Sequence, residues 1–500
     1  MKVADERKEV SRMNLNREEL MKLEKGEIID ILFALIQQQA QKIAELEARL
    51  NQNSKNSSKP PSSDGFNKPK PKSLRKPSGK KPGSQQGHKG HGLKLMSPPD
   101  RYAVYLPEAC VHCPMATTCL GPKTVSETRY EIDINISTVT TAHQVMRVTC
   151  PLACPQPEDT LTGSFPDGIN STMQYGANLE ALAIALNTVG MVSLSRTHEI
   201  LSGVFGIPIS TGTIAAMVSD CAAKVTGTVQ EIKEAVIHEP LVHVDETGLR
   251  VDKKTHWAHT ASTADLTCIE VQQGRGKADI EKFGILPAFR GTAIHDCLAS
   301  YFSFKAIRHG LCNAHLLREL VAVLENAKQA WAQELIDLLL TMKGVKERFI
   351  EKGRAKPTRY YLKKFRLAYD QILAAALALN PVPERAKAQK GRLKRGKTGA
   401  LVDRLLCHKE KYLLFFADFS VPFDNNLAER SIRMLKVKQK VSGCFRTLDG
   451  ATNFAAIMSF MGTARKRGIF AFQAIKDALM GNPFSVKVNS PAAEMDIGGV

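Results

Sequence analysis

Three acidic residues stand where their side chains could hold metal ions. The stretch Leu241–Asp245 reads as a buried strand ending in a carboxylate, and Ile294-His295-Asp296 repeats that pattern. Glu429 falls one turn into a helix that follows Asn425. Burying a carboxylate is costly unless something pairs with it, and a divalent cation is one such partner. Three such acids could hold two magnesium ions, which predicts chemistry at DNA phosphodiester bonds.

The spacing of the two aspartates indicates the fold that would position them. Asp245 and Asp296 lie 51 residues apart, which fits three antiparallel strands, a crossover helix and a fourth strand beside the first. This β-β-β-α-β order is that of a ribonuclease-H-like α/β core, with the aspartates side by side on adjacent central strands. Glu429 follows Asp296 only after a long stretch of helical pattern, so a helical insertion at about 320–415 must interrupt a catalytic core predicted at 238–445.

The composition favours an anionic polymer as partner. The formal net charge of the 500 residues is +19. A membrane surface is the competing interpretation of a basic chain. However, the sequence has no run of about 18 apolar residues, and Met1–Glu9 is charged and lacks the apolar segment of a signal peptide. We therefore expect a cytoplasmic DNA-binding protein without a membrane partner.

Two predicted segments precede the folded domains. Within residues 1–50, Ile29, Ile36, Ile43 and Leu50 recur every seven residues in a predicted helix. Leu32, Gln39 and Leu46 fall three residues after the first three of them and complete the seam. This seam favours self-association as a coiled coil, with a single amphipathic helix docked on the body as the alternative. Residues 51–100 are rich in Ser, Pro, Gly and Lys, which predicts a disordered basic linker that contacts phosphates without reading sequence.

Two pairs of cysteines predict a structural zinc site. The pairs Cys110-x2-Cys113 and Cys150-x3-Cys154 flank a segment at 130–148 that alternates like a β-hairpin. Four thiolates suit tetrahedral Zn²⁺ in a small β domain, predicted at 101–165. The three-residue gap in the second pair is one longer than usual, so His112 and Cys119 are alternative ligands.

A helical domain is predicted at 170–235, and it contains a helix–turn–helix pattern. Residues 194–201 start one helix, 203–209 form a turn, and Ser210 caps the next helix. Any two-helix corner shares this pattern. The predicted DNA contacts are Arg196, Ser210, Thr211 and Thr213, together with the basic residues that follow the glutamate, Arg430, Arg433 and Lys436. Solvated surface charge is the alternative for Arg430 and Arg433. Residues 446–500 are expected to form a C-terminal helical element and tail.

Two further acids flank the three candidate ligands. Glu246 follows Asp245, but the two-residue period of a strand is expected to turn it to the opposite face of the sheet. Asp424 is predicted to be the N-cap of the helix that carries Glu429. Neither is expected to bind metal.

Five motifs follow one another along the chain: Asn53–Asp64 (NSKNSSKPPSSD), His243–Thr247 (HVDET), His295–Tyr301 (HDCLASY), Leu311–Leu320 (LCNAHLLREL) and Asn425–Arg430 (NNLAER). They resemble the DDE transposases of the insertion-sequence family sixty-six, which cut and rejoin element ends in bacterial DNA. The resemblance implies that Asp245, Asp296 and Glu429 are the catalytic triad. Cys312 and His315 resemble an accessory motif that many DDE enzymes carry, whereas the Cys150 pair departs from the family's usual spacing.

The resemblance also implies a reaction and its partners. The expected reaction is strand cleavage and strand transfer by in-line displacement at phosphorus, with two Mg²⁺ ions as catalytic cofactors and Zn²⁺ as a structural one. The expected partners are DNA, as element ends and target, a second copy of the chain, and accessory proteins of the same element. A metal-dependent nuclease without strand transfer and a non-catalytic DNA-binding regulator are the alternatives.

Overall fold

The computed structural model describes residues 24–57, 87, 98–115, 117–118, 120–121, 124–134, 137–149, 160–382 and 395–486. The chain divides into two units, one formed by residues 71–144 and the other by residues 1–70 and 145–500. The described residues form a mixed α+β protein, as predicted at the level of class.

The elements are numbered here in chain order. The helices are α1 (Lys25–Leu50), α2 (Glu108–Val111), α3 (Ala177–Thr188), α4 (Leu194–Phe205), α5 (Thr211–Ile237), α6 (Lys277–Phe283), α7 (Ile285–Ala288), α8 (Asn313–Ala327), α9 (Trp331–Glu351), α10 (Arg359–Leu379), α11 (Gly396–Cys407), α12 (Lys409–Tyr412), α13 (Leu414–Ala417), α14 (Asn426–Ser442), α15 (Leu448–Lys466) and α16 (Ala471–Leu479). The strands are β1 (Arg147–Thr149), β2 (Thr160–Thr162), β3 (Leu241–Val251), β4 (Lys254–Ser262), β5 (Thr267–Gln272), β6 (Thr292–His295) and β7 (Arg308–Leu311). A short 3₁₀ helix spans Ala299–Ser303.

A five-stranded sheet lies at the centre of the larger unit, in the order β5-β4-β3-β6-β7. The strand β4 is antiparallel to both of its neighbours, whereas β6 is parallel to β3 and to β7. Helices α6 and α7 form the crossover between β5 and β6. Three antiparallel strands followed by a helical crossover and a fourth strand beside the first is the order that the sequence predicts. The fifth strand, β7, is an addition that the sequence analysis does not anticipate.

Strand β3 is longer than the sequence indicates. The sequence predicts a strand that ends at Asp245, but the strand continues to Val251 because its second half stays paired with β4, from Asp245 opposite Thr260 to Val251 opposite Lys254. The turn comes instead at Asp252 and Lys253, whose φ angles of 43° and 62° suit a two-residue hairpin. The parallel pairing of β3 with β6 ends at His243, opposite Ile294.

Separate hydrophobic cores hold the helices on the sheet. Helices α8 to α13 surround one core that reaches β6 and β7, and this is the helical insertion between β7 and α14. A second core joins α3, α4 and α5 to the C-terminal helices α15 and α16. The remaining cores fasten α5, α6 and α7, and then α14 and α15, to the sheet. The helix–turn–helix segment therefore packs with helices from the opposite end of the sequence.

The segment after α1 corrects the predicted linker. Residues 51–57 form turns, and the side chain of Asn56 is buried. Its Nδ2 donates to Glu325 Oε2 on α8 at 2.6 Å, and its Oδ1 accepts the N–H of Asn53 at 2.8 Å. A disordered linker from residue 51 is thus wrong for this short segment, because a buried asparagine amide holds it on the insertion. Residues 58–86 and 88–97 lie outside the described residues.

The alternating segment at 130–148 does not form the predicted β-hairpin in the described residues. Residues 124–134 and 137–146 have no regular structure, and the side chains of Ile132 and Ile134 are 64% and 80% exposed. The strand pairing found nearby is between the short strands β1 and β2. Alternating apolar residues are not sufficient for a strand there, because a strand also needs a neighbouring strand with which to form hydrogen bonds.

None of the helices in the described ranges has the length and apolar character that crossing a membrane requires.

Candidate active site

Asp245 and Asp296 are brought together by the parallel pairing of β3 and β6. The pairing ends with His243 opposite Ile294, two residues before each aspartate, and Asp296 directly follows the last residue of β6. The charge of Asp296 raises the pKa of Asp245, as expected of two nearby carboxylates. The N–H of Leu298 donates to Asp296 Oδ1 at 3.1 Å, which orients that carboxylate. Two acids that are distant in sequence therefore become neighbours at one edge of the parallel pair.

Glu429 reaches the same region from α14. It lies in the first turn of the helix, as predicted. Helix α14 is held on β3 and β4 by Ile432 and Leu435, which are buried against Leu249 and Ala258. Burying each large aliphatic side chain contributes about 1.5–3 kcal/mol, so the helix has a fixed position on the sheet.

The electrostatics of the site favour a bound cation. Burial raises the pKa of Asp245 well above its usual value, and the neighbouring charges of Glu246, Asp296 and Glu429 raise it further. Burial is also the main cause of the raised pKa values of Asp296 and Glu429. Among the described residues, no lysine or arginine forms an ion pair with Asp245. Arginines lie near Asp296 and Glu429 and lower their pKa values in part, but Asp245 is buried among like charges. Such a carboxylate cluster fits divalent metal ions, for which oxygen atoms are the preferred ligands.

Glu246 belongs to this cluster, although the sequence analysis sets it apart. Its Oε2 accepts a hydrogen bond from Tyr301 Oη at 2.7 Å, and its Oε1 lies 3.8 Å from Arg275 Nη1. Burial raises the pKa of Glu246 to about 7, with Asp296 as a second cause. Between about pH 4.5 and pH 7, this acid is ionised in the unfolded chain but keeps its proton in the folded, metal-free protein. The free energy of unfolding therefore falls as the pH rises through this range. The two-residue period of a strand predicts only the face of the sheet on which a side chain lies. It does not predict that Tyr301, in the segment after β6, lies beside Glu246.

Asn425 connects α14 to strand β3 and to the start of α8. Its Nδ2 donates to the carbonyl oxygen of Val244 at 2.8 Å, and its Oδ1 lies 2.9 Å from Nδ1 of His243. Its backbone N–H donates to Cys312 Sγ at 3.2 Å. Asn425, fully buried, is also the N-cap residue of α14. The predicted N-cap, Asp424, precedes it and accepts the N–H of Asn426 at 3.1 Å instead.

We expect Asn425→Ala to destabilise the protein strongly. The substitution leaves the Val244 carbonyl and the His243 ring nitrogen buried without their partner, at about 1–3 kcal/mol for each unsatisfied group. Urea unfolding followed by circular dichroism measures the change. Asn426→Ala is the matched control, because Asn426 is the next residue and is exposed. Equal unfolding midpoints for the two variants would show that Asn425 does not hold these elements together.

Cys312 and His315 lie beside Glu429. Cys312 is the N-cap residue of α8 and is buried, and His315 follows one turn later. His315 Nδ1 and Arg318 Nη2 lie 3.5 Å and 3.7 Å from the same atom, Glu429 Oε1. Burial lowers the pKa of His315 to about 4, so its ring is neutral near pH 7. The arginine is therefore the positive charge that α8 presents to Glu429.

The predicted DNA contacts have unequal surroundings. Arg196, Ser210 and Thr211 are exposed at the corner of α4 and α5, and Thr213 is half-buried. Ser210 caps α5 as predicted, because its Oγ accepts the N–H of Thr213 at 3.0 Å.

The basic residues of α14 divide into two groups. Arg430 and Arg433 are exposed. Lys436 is half-buried, and its Nζ donates to the carbonyl oxygen of Gly248 on β3. Lys438 is buried, and its Nζ donates to the carbonyl oxygen of Asn187 at 2.8 Å. The sequence predicts a DNA contact for Lys436, but the ammonium group of this lysine fastens α14 to the sheet.

The predicted zinc ligands are described only in part. Cys110, in α2, is exposed and Cys113 is half-buried, and both are free thiols. Cys150 and Cys154 lie outside the described residues, as does the alternative ligand Cys119. The zinc site stays a prediction.

The mixed sheet, the helical insertion and the buried carboxylates define an α+β protein with an acid-lined site between β3, β6 and α14. Residues 172–453 match the model of the Transposase IS66 family, and the chain belongs to this family. The match contains all three acids. Residues 7–94 match a Family of unknown function (DUF6444). No curated protein matches the chain.

Proposed function

We propose that this protein is a DDE transposase that binds the ends of an insertion sequence and catalyses metal-dependent strand cleavage and strand transfer. The observation that carries the proposal is the convergence of Asp245, Asp296 and Glu429 from β3, β6 and α14 on one site. The strand order β5-β4-β3-β6-β7 supports a ribonuclease-H-like core, in which the helical insertion lies between the second and third acids.

The three acids are the residues that would hold two Mg²⁺ ions. Magnesium bound there would supply positive charge that stabilises the attacking and leaving oxygens of an in-line displacement at phosphorus. The surrounding residues position the acids. Tyr301 fixes Glu246, Asn425 fixes the start of α14 against β3, and Arg318 compensates Glu429 in the metal-free state.

Metal ions should stabilise the folded protein, and Asp245 should be required for this effect. We expect Mg²⁺ to raise the melting temperature of the wild type, because a free concentration near 100 times Kd adds about 2.7 kcal/mol. Without divalent ions, Asp245→Asn should be at least as stable as the wild type, since it removes one of several repelling charges. Added Mg²⁺ should then stabilise the variant far less.

Differential scanning fluorimetry at pH 8 measures both effects. The control is Asp370→Asn, an exposed acid on α10. If Mg²⁺ raises the melting temperature of Asp245→Asn as much as that of the control, Asp245 is not a ligand.

The DNA interface is proposed to include three surfaces. Arg430 and Arg433 are exposed on the helix that carries Glu429, so they are placed to contact phosphates near the reacting strand. The corner of α4 and α5, with Arg196, Ser210, Thr211 and Thr213, is proposed to contact the element end. The basic part of the linker beyond residue 57 is proposed to add contacts without sequence preference.

Self-association is proposed to use the seam of α1. Leu32, Ile36 and Ile43 are 51%, 60% and 56% exposed, which favours self-association over the alternative of a single helix docked on the body. A 26-residue helix with an exposed apolar stripe at heptad spacing fits a second copy of itself. The structural Zn²⁺ at Cys110, Cys113, Cys150 and Cys154 remains part of the proposal.

The proposed function is tested with the purified chain, a labelled DNA fragment carrying a candidate element end, a second DNA as target, and Mg²⁺. We expect nicked fragments and fragments joined covalently to the target. Nicking without joined products would identify a nuclease, and specific binding without nicking would identify a regulator. Omission of Mg²⁺ is the control for metal dependence.

A further inference from the structure

A second group of possible metal ligands lies next to the triad. The ligand atoms of Cys312, His315 and Glu429 all lie within 4.8 Å of one another. Cys312 and His315 share the first turn of α8, while Glu429 comes from the first turn of α14. Two helix ends therefore present a thiol, an imidazole and a carboxylate to one point.

Two of these ligand atoms make no hydrogen bond, although Arg318 Nη2 lies 3.7 Å from one of them, Glu429 Oε1. His315 Nδ1 and Glu429 Oε1 are buried atoms without a hydrogen bond, and they lie 3.5 Å apart. Buried polar atoms in native proteins are nearly always satisfied, so an unpaired pair that faces each other needs an explanation. A cation bound between them would satisfy both.

The chemical types of the ligands select the cation. A thiolate and an imidazole favour zinc, whereas an all-oxygen set such as Asp245, Asp296 and Glu429 favours magnesium. With zinc–ligand distances of roughly 2.0–2.3 Å, neighbouring ligand atoms in a tetrahedral site lie roughly 3.3–3.8 Å apart. The separation of 3.5 Å between His315 and Glu429 already fits, and no other pair has to close by more than about 1.5 Å.

We propose that Cys312, His315 and Glu429 form a Zn²⁺ site that competes with the catalytic Mg²⁺ for Glu429. The competition, but not the binding of zinc, rests on the function proposed above. Zinc binding forms a bond to the Cys312 sulfur and releases the thiol proton to solvent. Glu429 is then held on α8 and cannot complete the triad, so Zn²⁺ inhibits DNA cleavage reversibly.

The first test measures metal binding without any reaction. The full chain is titrated with Co²⁺, whose bond to a thiolate gives a charge-transfer absorbance in the near ultraviolet. We expect Cys312→Ala to bind one Co²⁺ fewer than the wild type, with a correspondingly weaker absorbance. Cys110, Cys113, Cys150 and Cys154 are present in both proteins, so the difference isolates Cys312.

Cys221→Ala is the matched control, because Cys221 is a buried free cysteine on α5. His315→Ala is the second variant, should Cys312→Ala not fold, and it should also lose one Co²⁺. A Co²⁺ stoichiometry equal to that of the wild type in the folded variant would overturn the site.

The second test measures competition. At a fixed Mg²⁺ concentration, Zn²⁺ should inhibit cleavage by the wild type, and additional Mg²⁺ should restore it. Relative to its own activity without zinc, His315→Ala should need at least tenfold more Zn²⁺ for half inhibition. Equal sensitivity would overturn the competition. If the wild type cleaves no DNA with Mg²⁺ alone, the proposed function and the competition fail together, while the cobalt titration still decides whether the zinc site exists.

Discussion

Asp245→Asn, Asp296→Asn and Glu429→Gln should each reduce the rate of DNA cleavage by about 1000-fold or more. Each substitution keeps the shape of the side chain but removes the charge that a metal ligand needs. Metal ions supply several kcal/mol of transition-state stabilisation, and about 1.4 kcal/mol corresponds to a tenfold change in rate. The measurement is the single-turnover cleavage rate with Mg²⁺ on a labelled element end.

The loss should be confined to chemistry. DNA binding, measured by gel shift, should stay within a few-fold of the wild type, because the amides remove negative charge from the interface rather than positive charge. The matched controls are Asp370→Asn and Glu410→Gln, two exposed acids of the insertion. A triad variant that cleaves as fast as these controls would remove that residue from the site.

Replacing Leu32, Ile36 and Ile43 with Asp should convert the protein from an oligomer to a single chain. The three side chains lie at heptad spacing on α1 and are exposed, so in a coiled coil they would meet their counterparts in a second copy. Three carboxylates at such a seam would repel one another and would not be buried without large cost. Sedimentation velocity measures the change in mass.

The control for this experiment replaces three residues off the seam, Gln37, Gln38 and Ala48, with Asp. It adds the same number of carboxylates to the same helix, so an effect of helix propensity would appear in both variants. We expect the control to sediment like the wild type. If the seam variant also does, α1 does not mediate self-association.

The sequence alone determined the order of four of the five strands in the central sheet, β5-β4-β3-β6. Apolar runs that end in an aspartate located β3 and β6, and the length of chain between Asp245 and Asp296 fits three antiparallel strands, a crossover helix and a fourth strand beside the first. It also determined that Glu429 lies in the first turn of a helix and that an insertion separates it from the aspartates. These features are local periodicity or chain length, which a sequence carries directly.

The tertiary structure decided what surrounds each acid and each cation. Glu246 is buried because Tyr301 and Arg275 approach it from other elements. Lys436 is bound to a carbonyl on β3, which no pattern within α14 could reveal. Asn425 looked like part of a helix start, yet its side chain reaches His243 and Val244 in a distant part of the sequence. The burial of a side chain and the identity of its partners depend on which segments, distant in sequence, come into contact in the fold. The periodicity of a single sequence does not specify these contacts.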